Sequence, residues 1–112
     1  MPSTRSLGDE GEERAVGLLR EHGFTIVERN VRLPGGEIDI VCLDGTTLVF
    51  VEVKRRRGMQ YGNALAAVDS RKRARLRQLA ADYAQIVAPN AHFRFDIVAI
   101  DGNRMILHRN AF

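Results

Sequence analysis

Gly36-Glu37-Ile38-Asp39-Ile40-Val41-Cys42-Leu43-Asp44-Gly45-Thr46-Thr47-Leu48-Val49-Phe50-Val51-Glu52-Val53-Lys54 is the stretch on which the fold turns. Two runs rich in Val and Ile flank Asp44-Gly45-Thr46, and a tight turn between such runs reads as a β-hairpin with strands over 37–43 and 47–54. Strand alternation then sorts the side chains. Glu52 and Lys54 share a face with Leu48 and Phe50, while Val49, Val51 and Val53 take the other. In the preceding strand Asp39 goes with Glu37, Val41 and Leu43, against Ile38, Ile40 and Cys42. Apolar residues occupy both faces, so both should be covered. Carboxylates and a lysine inside such a hairpin cost free energy unless they are paired or metal-bound.

Working outward, residues 8–22 predict a helix, stopped at Gly23. A first strand follows over 24–31, and Leu33-Pro34-Gly35-Gly36 makes a turn. Beyond Lys54 come a loop to Asn63 containing Gly58 and Gly62, and a long helix from about Leu65 to Val87 with Pro89 past its end. A fourth strand over 92–100, a turn at Asp101-Gly102-Asn103 and a fifth strand over 104–109 complete the chain. The order α-β-β-β-α-β-β predicts an α/β domain, a mixed central sheet flanked by helices. At 112 residues the length suits one domain over 1–112, with 1–7 and 110–112 expected as flexible ends.

Composition narrows the setting. Hydrophobic residues make up 45% and charged residues 28%, ordinary for a globular chain. No apolar run is long enough to span a bilayer and no secretory signal is visible, which leads to the expectation of a cytoplasmic protein. Cys42 is the single cysteine, which excludes an intramolecular disulfide and a Cys-rich zinc site; it reads as a small core residue. Net charge is only +3, but residues 54–77 hold nine basic residues against one acid, Asp69. A polyanion partner or a solvated basic face and loop would each explain that stretch. Of the 17 basic residues just two are lysines, Lys54 and Lys72. Lysine offers a compact ammonium with an adjustable pKa where arginine offers a wide planar fork, so these two positions stand out.

The chemistry follows from the hairpin. Asp39, Glu52 and the Val53 carbonyl would offer three oxygens from adjacent strands to a hard cation such as Mg²⁺ or Mn²⁺. Such an ion polarises a phosphodiester and lowers the pKa of a bound water, and Lys54 beside it could orient that water or offset charge in the transition state. The alternative is an exposed Asp with a cross-strand Glu–Lys ladder, worth about 0.2–1 kcal/mol per pair. Two helix residues bear on the choice. Glu12 falls about 60° from Ala15, within the apolar arc of the first helix, where it could reach the metal site; a first-turn acid favoured by the helix dipole fits it equally. Lys72 falls about 40° from Val68, inside the apolar stripe of the long helix, where it could reach the acids or snorkel to water. Arg55, Arg56 and Arg57 follow the site directly, and Arg71, Arg73, Arg75 and Arg77 mostly point off the stripe, suited to phosphate contacts or to a solvated face. No Gly-rich phosphate loop precedes a helix, no Ser/His/Asp arrangement has a nucleophile context, and His22, His92 and His108 lack metal-ligand spacing. His108 reads as a surface residue.

The chain resembles the YraN family of small bacterial proteins, which is similar to the PD-(D/E)xK nuclease superfamily with its restriction-endonuclease-like fold. The likeness runs from Gly8 to about Ile100. It rests on Gly8-x-x-Gly11-Glu12-x-x-Ala15, Gly23-Phe24, Asn30, Gly36-Glu37-Ile38-Asp39, Phe50-Val51-Glu52-Val53-Lys54-x-Arg56, Tyr61-Gly62, Lys72 and Arg94-Phe95-Asp96. By that resemblance Asp39, Glu52 and Lys54 occupy catalytic positions, and Glu12 occupies the first-helix acid of the Holliday-junction-resolvase branch. Ile38 stands where the superfamily pattern has proline.

The expectation is therefore a metal-dependent nuclease acting on DNA, including branched or single-stranded recombination and repair intermediates. Asp39, Glu52, Val53 and Glu12 would face Mg²⁺ or Mn²⁺; Lys54 and Lys72 would assist; Arg55, Arg56, Arg57, Arg71 and Arg75 would hold the nucleic acid. Cutting two strands takes two active sites, which favours a homodimer. The competing expectation is a nucleic-acid-binding subunit of recombination, repair or DNA-uptake machinery without turnover of its own, and a weaker one is a structural adaptor.

Overall fold

The computed structural model describes residues 4–55 and 68–112. Its elements run α1 (Thr4–Glu21), β1 (Thr25–Leu33), β2 (Gly36–Asp44), β3 (Thr47–Arg55), α2 (Ser70–Val87), β4 (Phe93–Asp101) and β5 (Arg104–His108). This is the expected α-β-β-β-α-β-β order. Helix α1 begins four residues earlier than the sequence predicts. Arg56, Arg57, Gly58, Gly62 and Leu65 lie outside the described residues.

The five strands form one sheet in the order β1-β2-β3-β4-β5. The β3–β4 pair is parallel and the rest are antiparallel. Parallel neighbours need a crossover, and α2 supplies it. The two tight hairpins close through Gly45 and Gly102, whose φ of 63° and 60° are left-handed and cost a glycine nothing.

Both faces of the sheet are covered, as the doubly apolar strands require. On one face α2 buries Leu76, Leu79, Ala80, Tyr83 and Ala84 against Val41, Leu48, Phe50, Phe95, Ile97 and Ala99. On the other α1 buries Ala15, Val16 and Leu19 against Ile40, Cys42, Val49, Val51, Val98 and Ile100. Each large side chain removed from water this way contributes about 1.5–3 kcal/mol. The alternation of β3 is as expected, with Leu48 and Phe50 under α2 and Val49 and Val51 under α1.

Two expectations are corrected, those for Ile38 and His108. Ile38 packs with the α2-side cluster, not with Ile40 and Cys42. The reason is a kink: Asn30 has φ 54°, between the paired positions Arg29↔Ile40 and Val31↔Ile38, and alternation restarts beyond it. Asparagine tolerates that left-handed conformation better than most residues. Residues 110–112 make contacts with β4. Asn110 N–H donates to Asp96 Oδ1 at 2.9 Å, Ala111 N–H to the Phe95 carbonyl at 2.7 Å, and the Phe112 ring stacks on Phe95 at 4.8 Å. His108, read as a surface residue, is half-buried in β5 opposite Ile97.

Candidate active site

The site forms where β2 and β3 part. Their pairing runs from Asp44↔Thr47 to Ile40↔Val51, and Asp39 lies one residue past its end, level with the Asn30 kink. There the side chain of Asp39 takes up the strand's hydrogen bonding: Val53 N–H donates to its Oδ2 at 2.8 Å. That bond fixes the carboxylate beside the last turn of β3 and brings it close to Glu52.

Glu52 and Lys54 project from β3 under α2. Their parallel partners on β4 are Ile97 and Ala99. The Glu52 and Lys54 side chains are each only 10% exposed, with Lys54 Nζ 3.3 Å from Glu52 Oε1. The second cation comes from α2. Asp69 caps this helix, its side chain accepting from Lys72 N–H at 2.9 Å, which sets the first turn over the end of β3. From that turn Lys72 Nζ donates to the same Glu52 Oε1 at 2.8 Å. Asp69, the one acid in the basic stretch, thus holds Lys72 in place.

The electrostatics are those of a crowded anionic site. Burial, then the neighbouring Glu52 charge, push Asp39 up to about 7; Glu12 adds to this, while the Val53 N–H and Lys72 oppose it. Burial, with Lys72 alongside, lowers Lys54 against the pull of Glu52. For Lys72 burial also favours the neutral amine, but the bond to Glu52, the contact with Lys54 and the attraction of Asp39 outweigh it and raise its pKa. Like-charged carboxylates set this close gain from a cation between them. The Asp39 and Glu52 carboxylates suit a hard divalent ion, to which the Val53 carbonyl would add a third oxygen. Among the described residues no three His, Cys, Asp or Glu side chains gather as a complete cage. Two carboxylates with water filling the remaining positions is the habit of Mg²⁺.

Glu12 is buried at 8% exposure, on the α1 side of the sheet. Its Oε2 lies 3.8 Å from Arg29 Nη2, while Arg29 Nη1 donates to Glu13 Oε2 at 2.8 Å. Glu12 acts on Asp39 through its charge, from the α1 side. Arg55 is exposed at the end of β3, with its Cδ against Gly11 of α1. Arg71 and Arg75 are exposed on α2, Arg75 leaning over the Gly36 turn. Arg73 and Arg77 take the other flank, their guanidiniums 5.7 and 5.8 Å from the centre of the Phe112 ring. Between the flanks lies a small cavity lined by Ile38, Phe50, Glu52, Leu76, Phe95 and Phe112.

Three contributors escape a reading by strand and helix periodicity alone. Arg29 faces α1 as the partner of Glu12 and Glu13. Phe112 closes the cavity beside Glu52. Asp96 is wholly buried, held by Arg94 through Nε at 3.0 Å and Nη2 at 3.2 Å, while Arg94 Nη1 reaches Asp44 Oδ2 at 2.8 Å. The signal for this last pair was Arg94-x-Asp96 within an apolar strand, two charges on one face that could be buried only together.

A family model described as "Uncharacterised protein family UPF0102" matches residues 11–100 of this chain. A UPF0102 protein of Shewanella loihica is 45% identical over 105 residues, covering 94% of this chain and 92% of its own length. One from Shewanella pealeana is 44% identical over 112 residues and covers both chains in full. One from Dechloromonas aromatica is 43% identical over 110 residues, covering 98% and 91%.

Proposed function

This chain belongs to the uncharacterised protein family UPF0102, the YraN family that its motifs resemble, and we propose that it is a metal-dependent nuclease hydrolysing phosphodiester bonds of DNA. One observation carries the proposal. Asp39, Glu52, Lys54 and Lys72, from two strands and a helix far apart in sequence, meet at one point with charges poised around a shared carboxylate. A surface Glu–Lys ladder would not bury Glu52, would not recruit a second lysine from α2, and would not hold Asp39 near neutrality.

In this proposal Asp39, Glu52 and the Val53 carbonyl hold Mg²⁺ or Mn²⁺, which when bound supplies Lewis acidity and a nucleophilic water. The chain's own residues do the rest. Val53 N–H keeps Asp39 turned into the site. Lys54, buried and lowered in pKa, hydrogen-bonds the attacking water or a phosphoryl oxygen and offsets negative charge as the pentacovalent state forms. Glu12 adds its charge to the potential at Asp39. Arg55, Arg71 and Arg75 lie exposed on either side and suit contacts to the nucleic-acid backbone. The exposed arginines of α2 would help to steer a polyanion to this end of the sheet.

A second proposal draws on a specific observation: Glu52 is already neutralised by Lys54 and Lys72, so the fold stands without a metal. A binding subunit with no turnover would have the same arrangement. The test is a cleavage assay on linear duplex, branched, single-stranded and RNA substrates with Mg²⁺ and with Mn²⁺. Asp39→Ala and Lys54→Ala should each lower metal-dependent cleavage at least about a hundredfold while circular dichroism shows the fold retained. Cleavage that survives both changes would sink the nuclease assignment. Salt-sensitive binding without metal-dependent cleavage would favour the binding subunit.

A further inference from the structure

We propose that the Lys72 ammonium holds the metal's place on Glu52, so that taking up a divalent ion and releasing Lys72 are a single exchange. The inference rests on the metal site proposed above and goes beyond it in assigning Lys72 a role that regulates loading.

Glu52 Oε1 is the oxygen at issue. It accepts from Lys72 Nζ at 2.8 Å and has Lys54 Nζ at 3.3 Å, so two positive charges already crowd one carboxylate oxygen. A divalent ion drawing on Glu52 and Asp39 would be repelled by both. One ammonium must withdraw, and the structure distinguishes them. The Lys54 side chain is 10% exposed and rises from the middle of a sheet covered by α2. The Lys72 side chain is 35% exposed and rises from the first turn of α2, with solvent beside it. Lys72 is the one with somewhere to go. Its hydrogen bond to Glu52 is made by a flexible four-carbon arm, and a rotamer change moves the charge away without disturbing the helix.

The exchange has a consequence for loading. In the absence of substrate the anionic site is kept neutral and folded by Lys72, and the metal binds weakly because it competes with an internal cation. A phosphate arriving along the Arg71 and Arg75 flank gives the released ammonium a new partner, so metal and polyanion each favour the other's binding. A purely structural lysine predicts the reverse: removing it would loosen the site and weaken the metal.

Two measurements test this. The first is titration with Mn²⁺ by calorimetry and electron paramagnetic resonance, without nucleic acid, on wild type, Lys72→Met and Asp39→Ala. Methionine keeps the stem and removes the charge. Lys72→Met should bind Mn²⁺ at least tenfold more tightly than wild type, and Asp39→Ala should not bind it at this site. Equal or weaker binding in Lys72→Met, with binding lost in Asp39→Ala, overturns the exchange and leaves the metal site standing. No Mn²⁺ binding in any of the three, or binding untouched by Asp39→Ala, overturns both. The second measurement uses wild type alone. With only two lysines in the chain, acetylation by a water-soluble reagent can be read at each by peptide mass spectrometry. Saturating Mg²⁺ should speed acetylation of Lys72 severalfold and leave Lys54 unchanged. A Lys72 rate indifferent to Mg²⁺ overturns the proposal without any variant having to fold.

Discussion

Replacing Asp39 by asparagine should make the protein more stable above neutral pH even as it removes the proposed metal ligand. Burial and then the Glu52 charge raise the Asp39 pKa from 3.8 to about 7 in the native state. The unfolded chain keeps the ordinary value. Between the two the native state retains the proton and the unfolded state has lost it, so stability falls as pH rises through this window. Above pH 7 the carboxylate is ionised in both states, and the native protein bears the whole penalty of a charge held among like charges. The rise is roughly three pKa units at about 1.4 kcal/mol each, or about 4 kcal/mol, and solvent reaching this half-buried group reduces that toward about 2 kcal/mol. Asparagine fills the same space, carries no charge, and can still accept from Val53 N–H. The stability of Asp39→Asn relative to wild type should therefore increase by about 2–4 kcal/mol between pH 4 and pH 8. Urea unfolding followed by circular dichroism at pH 4, 6 and 8 measures it. With millimolar Mg²⁺ at pH 8, wild type should recover part of the gap and the variant should gain nothing, since only the carboxylate site gives the native state a ligand. A difference that stays constant across pH, or a variant weaker than wild type by the same margin at pH 4 and pH 8, would refute the placement of Asp39 as a buried carboxylate beside Glu52.

Three further outcomes are expected. Asp96→Ala strips a wholly buried carboxylate from the two-pronged Arg94 pair and from Asn110 N–H, and urea unfolding should show a loss of about 3–5 kcal/mol. Phe112→Ala removes the ring stacked on Phe95 at 4.8 Å beneath Arg73 and Arg77; thermal melts should report a loss of about 1–3 kcal/mol, and limited proteolysis should find residues 109–112 newly accessible. Arg71→Ala and Arg75→Ala, exposed and clear of the core, should leave stability unchanged but weaken DNA binding. Each should flatten the slope of log affinity against log salt by about one in fluorescence anisotropy.

Much of this fold was legible from local pattern. Valine-rich runs around Asp44-Gly45-Thr46 announced the hairpin, and period-two alternation put Glu52 and Lys54 beneath the same helix. Period-3.6 spacing turned Glu12 and Lys72 inward, where a charge requires a partner. The kinked start of β2 was not legible. Alternation assigned Ile38 to the wrong face because one left-handed residue on the neighbouring strand, Asn30, resets the phase, and nothing in the local pattern of β2 records it. The contacts of residues 110–112 were not legible either, because they are made with Asp96 and Phe95, strand residues well upstream in sequence.

The sequence by itself determined which side chains of β3 share a face, which charges turn inward, and the order of helices and strands. Those properties follow from the repeat of a single element and from the cost of burying apolar surface on it. The tertiary structure alone decided that Lys54 and Lys72 would meet on one oxygen of Glu52, and that Asp39 would replace a strand's main-chain partner at Val53. It also decided that Glu12 would act from the opposite face. Strand register, a kink and the docking of a capped helix set these distances, and each arises from contacts between residues far apart in the chain, which a local period does not encode.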